Sequence, residues 1–248
     1  YELIWVGAVP GIRESRRLIG DYILNQNDIL ANREFKDAVA YGGWPIDEHI
    51  AGGLMAKGQM PSRVYSFDGL YSIPYRCYYS KNIKNLMMAG RNISSTKLGM
   101  SSVRVMGTCA VGGEAVGTAA AMAVKYNCNP CKIGQMYIRE LQQQLLKADC
   151  YIPGVVNEDE KDLARKSTVS ATSELKGCES KNVINGISRT VKNNSNVWES
   201  DGISENGEEL TLILENKFNL KQIRLTFDPN LSEEKCISIS QAFKDKQR

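Results

Sequence analysis

Histidine is almost absent from this sequence: His49 is the only one in 248 residues, so chemistry that needs several imidazoles is excluded. Seven cysteines are present, an odd number and too sparse for the disulfide framework of a small secreted domain. Cys128-Asn-Pro-Cys131 has the C-x-x-C spacing of a redox pair or of half a zinc site, but no second C-x-x-C completes a ligand set. We therefore interpret the cysteines as reduced thiols of a cytoplasmic protein, with no metal site.

Long apolar runs and blocks of one charge are also lacking. No stretch of about 18 apolar residues occurs, so the sequence predicts no membrane span. The 31 Lys and Arg nearly balance the 28 Asp and Glu, and the basic residues form no block beyond 13–17, which argues against nucleic acid as a partner. The chain begins with Tyr1 rather than with a methionine or a signal peptide, and we expect a fragment of a longer protein.

The composition changes near a charged connection at residues 151–165. Residues 1–150 contain Ala/Gly-rich helical stretches and are predicted to be α/β, whereas 166–248 are rich in Ser, Thr and Asn. Two alternating runs in the second part predict half-buried strands, and their large apolar members are Leu210, Leu212, Leu214, Ile223, Leu225 and Phe227. We therefore predict an α/β domain followed by an all-β, sandwich-like domain.

The segment 86–124 predicts a strand, a turn and a helix. Residues 86–89 form a short apolar strand, and the helix is expected from about Ser102 to Tyr126, capped by Ser101 or Ser102. Small residues recur along one face of this helix at Gly107, Ala110, Gly113, Gly117 and Ala121. Because each glycine costs about 1 kcal/mol in a helix relative to alanine, this face indicates close packing on a sheet or access for a flat cofactor. The N-terminus of the helix carries a partial positive charge and free N–H groups, which would stabilise negative charge that develops on a bound cofactor.

Two further helical elements are predicted in the first domain. Residues 13–25 form a short helix or a helix–strand junction, and an amphipathic helix runs from about Ile133 to Lys147.

Three motifs resemble the bacterial FAD-dependent oxidoreductase family, whose fold is of the two-dinucleotide-binding-domain type. They are Met-Met-Ala-Gly-Arg-Asn-Ile-Ser-Ser-Thr (87–96) with its helix at 102–121, Pro-Gly-Ile-Arg-Glu-Ser-Arg-Arg (10–17), and Tyr-Ser-Ile-Pro-Tyr-Arg (71–76). The resemblance covers about residues 5–123 and implies that FAD passes a hydride to or from a small organic substrate. It also implies that FAD is contacted by Gly90, Arg91, Asn92, Ser102, Val103, Arg104, Val105, Met106 and Gly107.

Two departures from that family matter. Many members carry histidine where this chain has Lys97, whose ammonium holds its proton far more tightly than imidazole does. The Gly-x-Gly-x-x-Gly that cradles the FAD pyrophosphate is absent from the 248 residues. We therefore expect 1–248 alone to bind FAD weakly and to be inactive by itself.

Four cationic side chains and one histidine are candidates for catalysis or substrate binding. Arg13 and Arg16 suit a bidentate clamp on a substrate carboxylate, or else form a solvated helix face. Arg76, among tyrosines, is expected to have a specific anionic partner. His49 follows a Gly/Pro loop and changes charge near neutral pH, and the resemblance places it near the substrate. Lys97 stands where the family places an acid or base.

The second domain resembles a galactose-binding-like (discoidin-type) β-sandwich at Asn185-Gly-Ile-Ser-Arg and Trp198-Glu-Ser. The tryptophan is either a packing residue or a sugar platform. An alternative function is therefore a carbohydrate- or protein-binding module attached to a catalytically inactive flavoprotein remnant, and a third is a purely structural fragment.

Overall fold

The computed structural model describes residues 2–8, 16–52, 55–189 and 196–228. Its internal contacts divide the chain into two units, Tyr1–Asn157 and Glu158–Arg248. The division falls inside the charged connection at 151–165. Each strand pairs only with a strand of its own unit.

The first unit contains five α-helices and four strands among its described residues. The helices are α1 (Gln26–Leu30), α2 (Lys97–Val103), α3 (Met106–Lys125), α4 (Pro130–Met136) and α5 (Ile138–Lys147). The strands are β1 (Ala38–Gly42), β2 (Ile46–His49), β3 (Ser62–Tyr65) and β4 (Tyr71–Pro74). Strand β1 pairs antiparallel with β4, and β2 pairs antiparallel with β3. Short 3-10 turns occupy Tyr75–Cys77 and Gly90–Asn92.

The core of this unit forms where α3 packs on β1. Strand β4 is buried at every position, as expected for a strand covered on both faces. Helix α3 turns Ala115, Ala119 and Met122 inward, a spacing that places them on one helix face. Leu141 and Leu145 of α5 complete the layer over α3 and β1.

The glycines of α3 belong to two different faces. Gly112 faces the core, where a Cβ would lie 2.6 Å from the hydroxyl oxygen of Tyr78. At Gly107, Gly113 and Gly117, a Cβ would meet no neighbouring atom of the described residues within 4 Å. Within this chain, close packing therefore depends on Gly112, and the predicted small-residue face is open.

The predicted long helix is interrupted at Arg104 and Val105. Arg104 is the C-cap of α2, and Val105 is extended (ψ 148°) before α3 begins. Arg104 thus lies at the carbonyl end of a helix, where a positive charge is favourable, rather than in the first turn of a longer one. At this break, the Arg104 guanidinium donates to the main-chain oxygen of Asp47 at 2.9 Å.

The predicted helix cap was wrong as well. Ser101 and Ser102 lie inside α2, and its N-cap is Thr96, whose hydroxyl accepts from the Gly99 N–H at 3.0 Å. The predicted helix at 133–147 is likewise divided, because Tyr137 separates α4 from α5.

Two other predicted elements, the strand at 86–89 and the helix or helix–strand junction at 13–25, do not form as regular helices or strands among the described residues. Residues 86–89 form only one antiparallel bridge, between Met87 and Tyr79. The described part of 13–25 contains no helix. Its main chain instead bonds to the segment before α2: Leu18 N–H donates to Asn92 at 2.8 Å, and Leu24 N–H donates to Ser94 at 3.1 Å.

The second unit has one two-stranded antiparallel sheet among its described residues, made of β5 (Thr168–Ala171) and β6 (Leu210–Ile213). Strand β6 confirms a strand at the first alternating run, but its burial does not alternate as predicted, because Leu212 and Ile213 are both exposed. Residues 221–228 form no strand, and Ile223, Leu225 and Phe227 are 71–79% exposed. Alternation sets which face a strand would bury, but a strand also needs a partner. The described residues therefore show no β-sandwich.

Trp198 serves packing in this unit. Its indole N–H donates to the Ser173 carbonyl at 3.0 Å, and the side chain is partly buried. The described residues thus offer no observation that favours a sugar platform. Among the helices of the described ranges, none has both the length and the apolar character needed to cross a bilayer.

Candidate functional site

The 3-10 turn before α2 lies beside α3. Gly90 has φ +79°, a left-handed conformation that glycine adopts without steric cost. Arg91 is close enough to Cys109, in the first turn of α3, to lower the thiol pKa, although burial is the larger effect and raises it overall. The Asn92 side-chain amide donates to the Arg16 carbonyl at 3.0 Å. The turn therefore brings three predicted cofactor residues to the start of α3.

The N-terminus of α3 is uncovered. Within the described ranges, no side chain caps it, because its N-cap is Val105. Met106 is 90% exposed, and Gly107 beside it leaves open space. Free N–H groups and the positive end of a 20-residue helix therefore face outward at this point.

Asp47 of β2 joins two of the candidate residues. Its carboxylate oxygen Oδ2 lies 3.4 Å from His49 Nε2 and 3.3 Å from an Arg104 guanidinium nitrogen. The other oxygen, Oδ1, is buried and has no hydrogen-bond partner among the described residues. His49 is 56% exposed, whereas Arg104 is only 17% exposed. The arrangement holds an accessible imidazole against a carboxylate that a half-buried arginine fixes.

Lys97 is paired with the same strand. Its ammonium lies 3.4 Å from a Glu48 carboxylate oxygen, and the lysine side chain is 68% exposed. An exposed pair of this kind contributes little to stability, about 0–1 kcal/mol. Lys97 therefore lies at the edge of the site with an accessible amine.

Ser102 and Val103 are enclosed by the protein itself. Val103 is 1% exposed, and Ser102 is fully buried. The Ser102 hydroxyl donates to the Trp44 carbonyl and lies 2.6 Å from the Tyr71 hydroxyl. Burial raises the pKa of Tyr71 to about 12, so Tyr71 stays protonated and can donate to Ser102. Of the predicted cofactor contacts at 102–107, Ser102 and Val103 are therefore unavailable to a ligand. The residues of this segment that remain candidates for FAD contact are 104–107.

Arg76 has an internal carboxylate partner. Its Nε donates to Asp37 at 2.8 Å and a second guanidinium nitrogen donates at 3.1 Å, a bidentate arrangement. The guanidinium also lies over the ring of Tyr22, 5.1 Å from its centre. These contacts account for Arg76 without a ligand.

Arg16 and Arg13 are the remaining candidates. Arg16 is exposed, and its main chain is tied to Asn92, but Arg13 lies outside the described residues. The structure therefore brings His49, Arg104 and Lys97 around β2, with Arg16 near the 3-10 turn. No group of three or more His, Cys, Asp or Glu in the described ranges is placed to hold a metal.

Sequence reasoning passed over Asp47 and Glu48 as functional residues, although both directly precede His49. A signal was available, since residues i and i+2 of a strand share one face. That rule puts Asp47 beside His49 once the loop is recognised as the start of β2. The ion pair with Arg104 had no such signal, because 57 residues separate the partners.

Comparison with known proteins identifies the family of the first unit. The sequence model of the family described as FAD dependent oxidoreductase matches residues 1–145, more than half of the chain. No curated protein and no solved structure gives a significant match. The match supports an α/β fold for the first unit, FAD as the cofactor and an oxidoreductase function. This chain belongs to the FAD-dependent oxidoreductase family.

Proposed function

We propose that this chain forms the flavin-side wall of an oxidoreductase that transfers a hydride between FAD and a small organic substrate. The observation that supports the proposal is that predicted cofactor contacts and predicted catalytic residues both lie beside α2 and α3. The 3-10 turn at Gly90–Asn92 packs on α3. Arg104, two residues before α3, pairs with Asp47, which in turn pairs with His49. Both sets of candidate residues thus contact the region of α2 and α3, which supports the proposal.

The residues at this junction fit a flat, partly anionic cofactor. Gly90 and Gly107 leave space that a Cβ would fill, so a ring can approach the main chain closely. The uncapped N–H groups of α3 can bind a carbonyl oxygen that gains negative charge. FAD, when bound, supplies the hydride acceptor or donor. The chain's residues position it and stabilise charge.

We assign proton transfer to His49. Its Nε2 faces the Asp47 carboxylate, which fixes the ring orientation and leaves Nδ1 to hold or release a proton. Arg104 keeps Asp47 in place from a half-buried position. Lys97, paired with Glu48, supplies positive charge at the rim rather than the main acid or base.

Replacement of His49 tests this assignment. In the full-length, FAD-loaded protein, His49→Gln should slow flavin reduction by substrate in single turnover by about 100-fold or more, the usual contribution of a positioned acid or base. The flavin content should stay unchanged, because His49 is not among the cofactor contacts. Lys36→Gln, an exposed change on the same unit, is the control. An unchanged reduction rate with His49→Gln would remove this residue from the mechanism.

A further inference from the structure

A groove of about 470 Å³ lies between residues 16–19 and the loop that follows Tyr79. Main-chain hydrogen bonds hold its walls together: Lys81 N–H donates to the Ile19 carbonyl at 2.9 Å, and Leu18 N–H donates to Asn92 at 2.8 Å. The shape of the groove is therefore set by the backbone. Its volume is in the range typical of small-molecule sites, about 300–1,000 Å³.

Three cations line this groove: Arg16, Arg17 and Lys81. Among the described residues, no carboxylate lines the groove and none forms an ion pair with these three cations. Arg17 Nε donates to the Ser95 carbonyl at 2.9 Å, which fixes the guanidinium and leaves its two terminal nitrogens available. Positive charge without a matching acid favours an anionic ligand.

Apolar side chains occupy the rest of the groove. Ile19 is 62% exposed and Ile83 is 50% exposed, while Leu86 and Met88 are partly buried beside them. Leaving such surface in water is unfavourable by about 25 cal/mol per Å². A ligand with both an anionic head and an apolar body would satisfy the two parts of this wall together.

Asn92 connects the groove to the flavin side. It lines the groove, bonds to the Arg16 carbonyl, and belongs to the 3-10 turn that packs on α3. We propose that this groove binds the substrate of the oxidoreductase and that the substrate is an organic carboxylate with an apolar body. The inference rests on the proposed function, because a hydride acceptor or donor must lie beside the flavin.

Octanoate titrated into the FAD-free chain tests the substrate class, with heteronuclear NMR shifts as the readout. We expect saturable shifts at the groove residues and binding of octanamide at least tenfold weaker, because the amide lacks the charge. Lys81→Gln and Arg17→Gln should each weaken octanoate binding about tenfold, the effect of losing one charge-assisted hydrogen bond. Lys84→Gln, on the same loop but outside the groove, should leave the affinity unchanged.

Several results would overturn the proposal. These are equal binding of octanoate and octanamide, unchanged affinity in Lys81→Gln, or octyl phosphate binding more than tenfold tighter than octanoate. The last result would assign the groove to a phosphate ester instead. Because the titration needs neither FAD nor turnover, its failure leaves the flavin chemistry untouched. Failure of the flavin-reduction test would in turn leave the carboxylate site standing.

Discussion

Two glycines of α3, Gly112 and Gly117, have opposite surroundings although they lie on the same helix. A Cβ at Gly112 would lie 2.6 Å from Tyr78 Oη and 2.8 Å from its ring carbon Cε1. Tyr78 is 1% exposed and cannot move aside, because protein interiors are close-packed. At Gly117, by contrast, a Cβ would enter open space.

Alanine at each position separates these two roles. Gly112→Ala should destabilise the chain by about 1–3 kcal/mol, the usual cost of overpacking a core. Gly117→Ala should stabilise it by up to about 1 kcal/mol, because alanine is the better helix former. Denaturant unfolding followed by circular dichroism measures both. A stabilising Gly112→Ala would contradict the packing of α3 against Tyr78.

Residue identity alone predicted part of this site. The spacing of the glycines predicted a helix with small residues along one face, and His49 became a candidate because it is the only histidine. The sequence could not tell which glycine meets the core, since that depends on where Tyr78 lies. For the same reason it suggested an external anion for Arg76, whose partner is Asp37 of this chain.

At the scale of elements, a carboxylate in the second unit ties strand β5 to the turn before β6. Glu208 accepts from the hydroxyls of Thr172 and Ser173 and from the Ser204 N–H. These hydrogen bonds, that of Thr172 first, lower the Glu208 pKa to about 2.

This shift predicts an acid-sensitive link in the second unit. Because the folded pKa lies below the ordinary value of 4.5, the contribution of Glu208 is complete above pH 4.5 and is lost as the pH falls towards 2. Glu208→Gln should flatten the loss of stability in that window, whereas Glu205→Gln, at an exposed site nearby, should not. Thermal unfolding of each variant between pH 2 and pH 6 measures the effect. Identical pH profiles for Glu208→Gln and the unchanged protein would contradict the link.

The sequence predicted the regular elements whose local residue pattern is sufficient to specify them. It missed features that involve contacts between residues far apart in the chain. The small-residue repeat of α3 and the alternation in β6 were sufficient to predict those two elements. The break between α2 and α3 was missed, and the contact of Arg104 with β2 beside it joins residues that lie 57 apart in the sequence. The run at 223–227 has a correct strand pattern but no pairing strand among the described residues.

At the scale of the whole chain, one family motif is missing. Because no Gly-x-Gly-x-x-Gly is present to bind the pyrophosphate, we expect 1–248 alone to bind FAD with a dissociation constant of about 10⁻⁶ M or weaker. Fluorescence titration of FAD with the purified chain measures this constant. Stoichiometric yellow flavin that copurifies with the chain would contradict the expectation.

The central claim is that the exposed start of α3 is a flavin wall, and Gly107→Leu in the full-length, FAD-loaded protein tests it most directly. The chain's described residues leave open space at Gly107, so a leucine there should not disturb the fold and can clash only with a ligand. Val124→Leu, at an 82% exposed position of the same helix, is the matched control. Bound flavin per polypeptide after desalting should fall at least tenfold in Gly107→Leu and stay unchanged in Val124→Leu, while the melting temperatures of the FAD-free forms should be equal, because bound flavin itself stabilises the fold. Full flavin content in Gly107→Leu would contradict the claim.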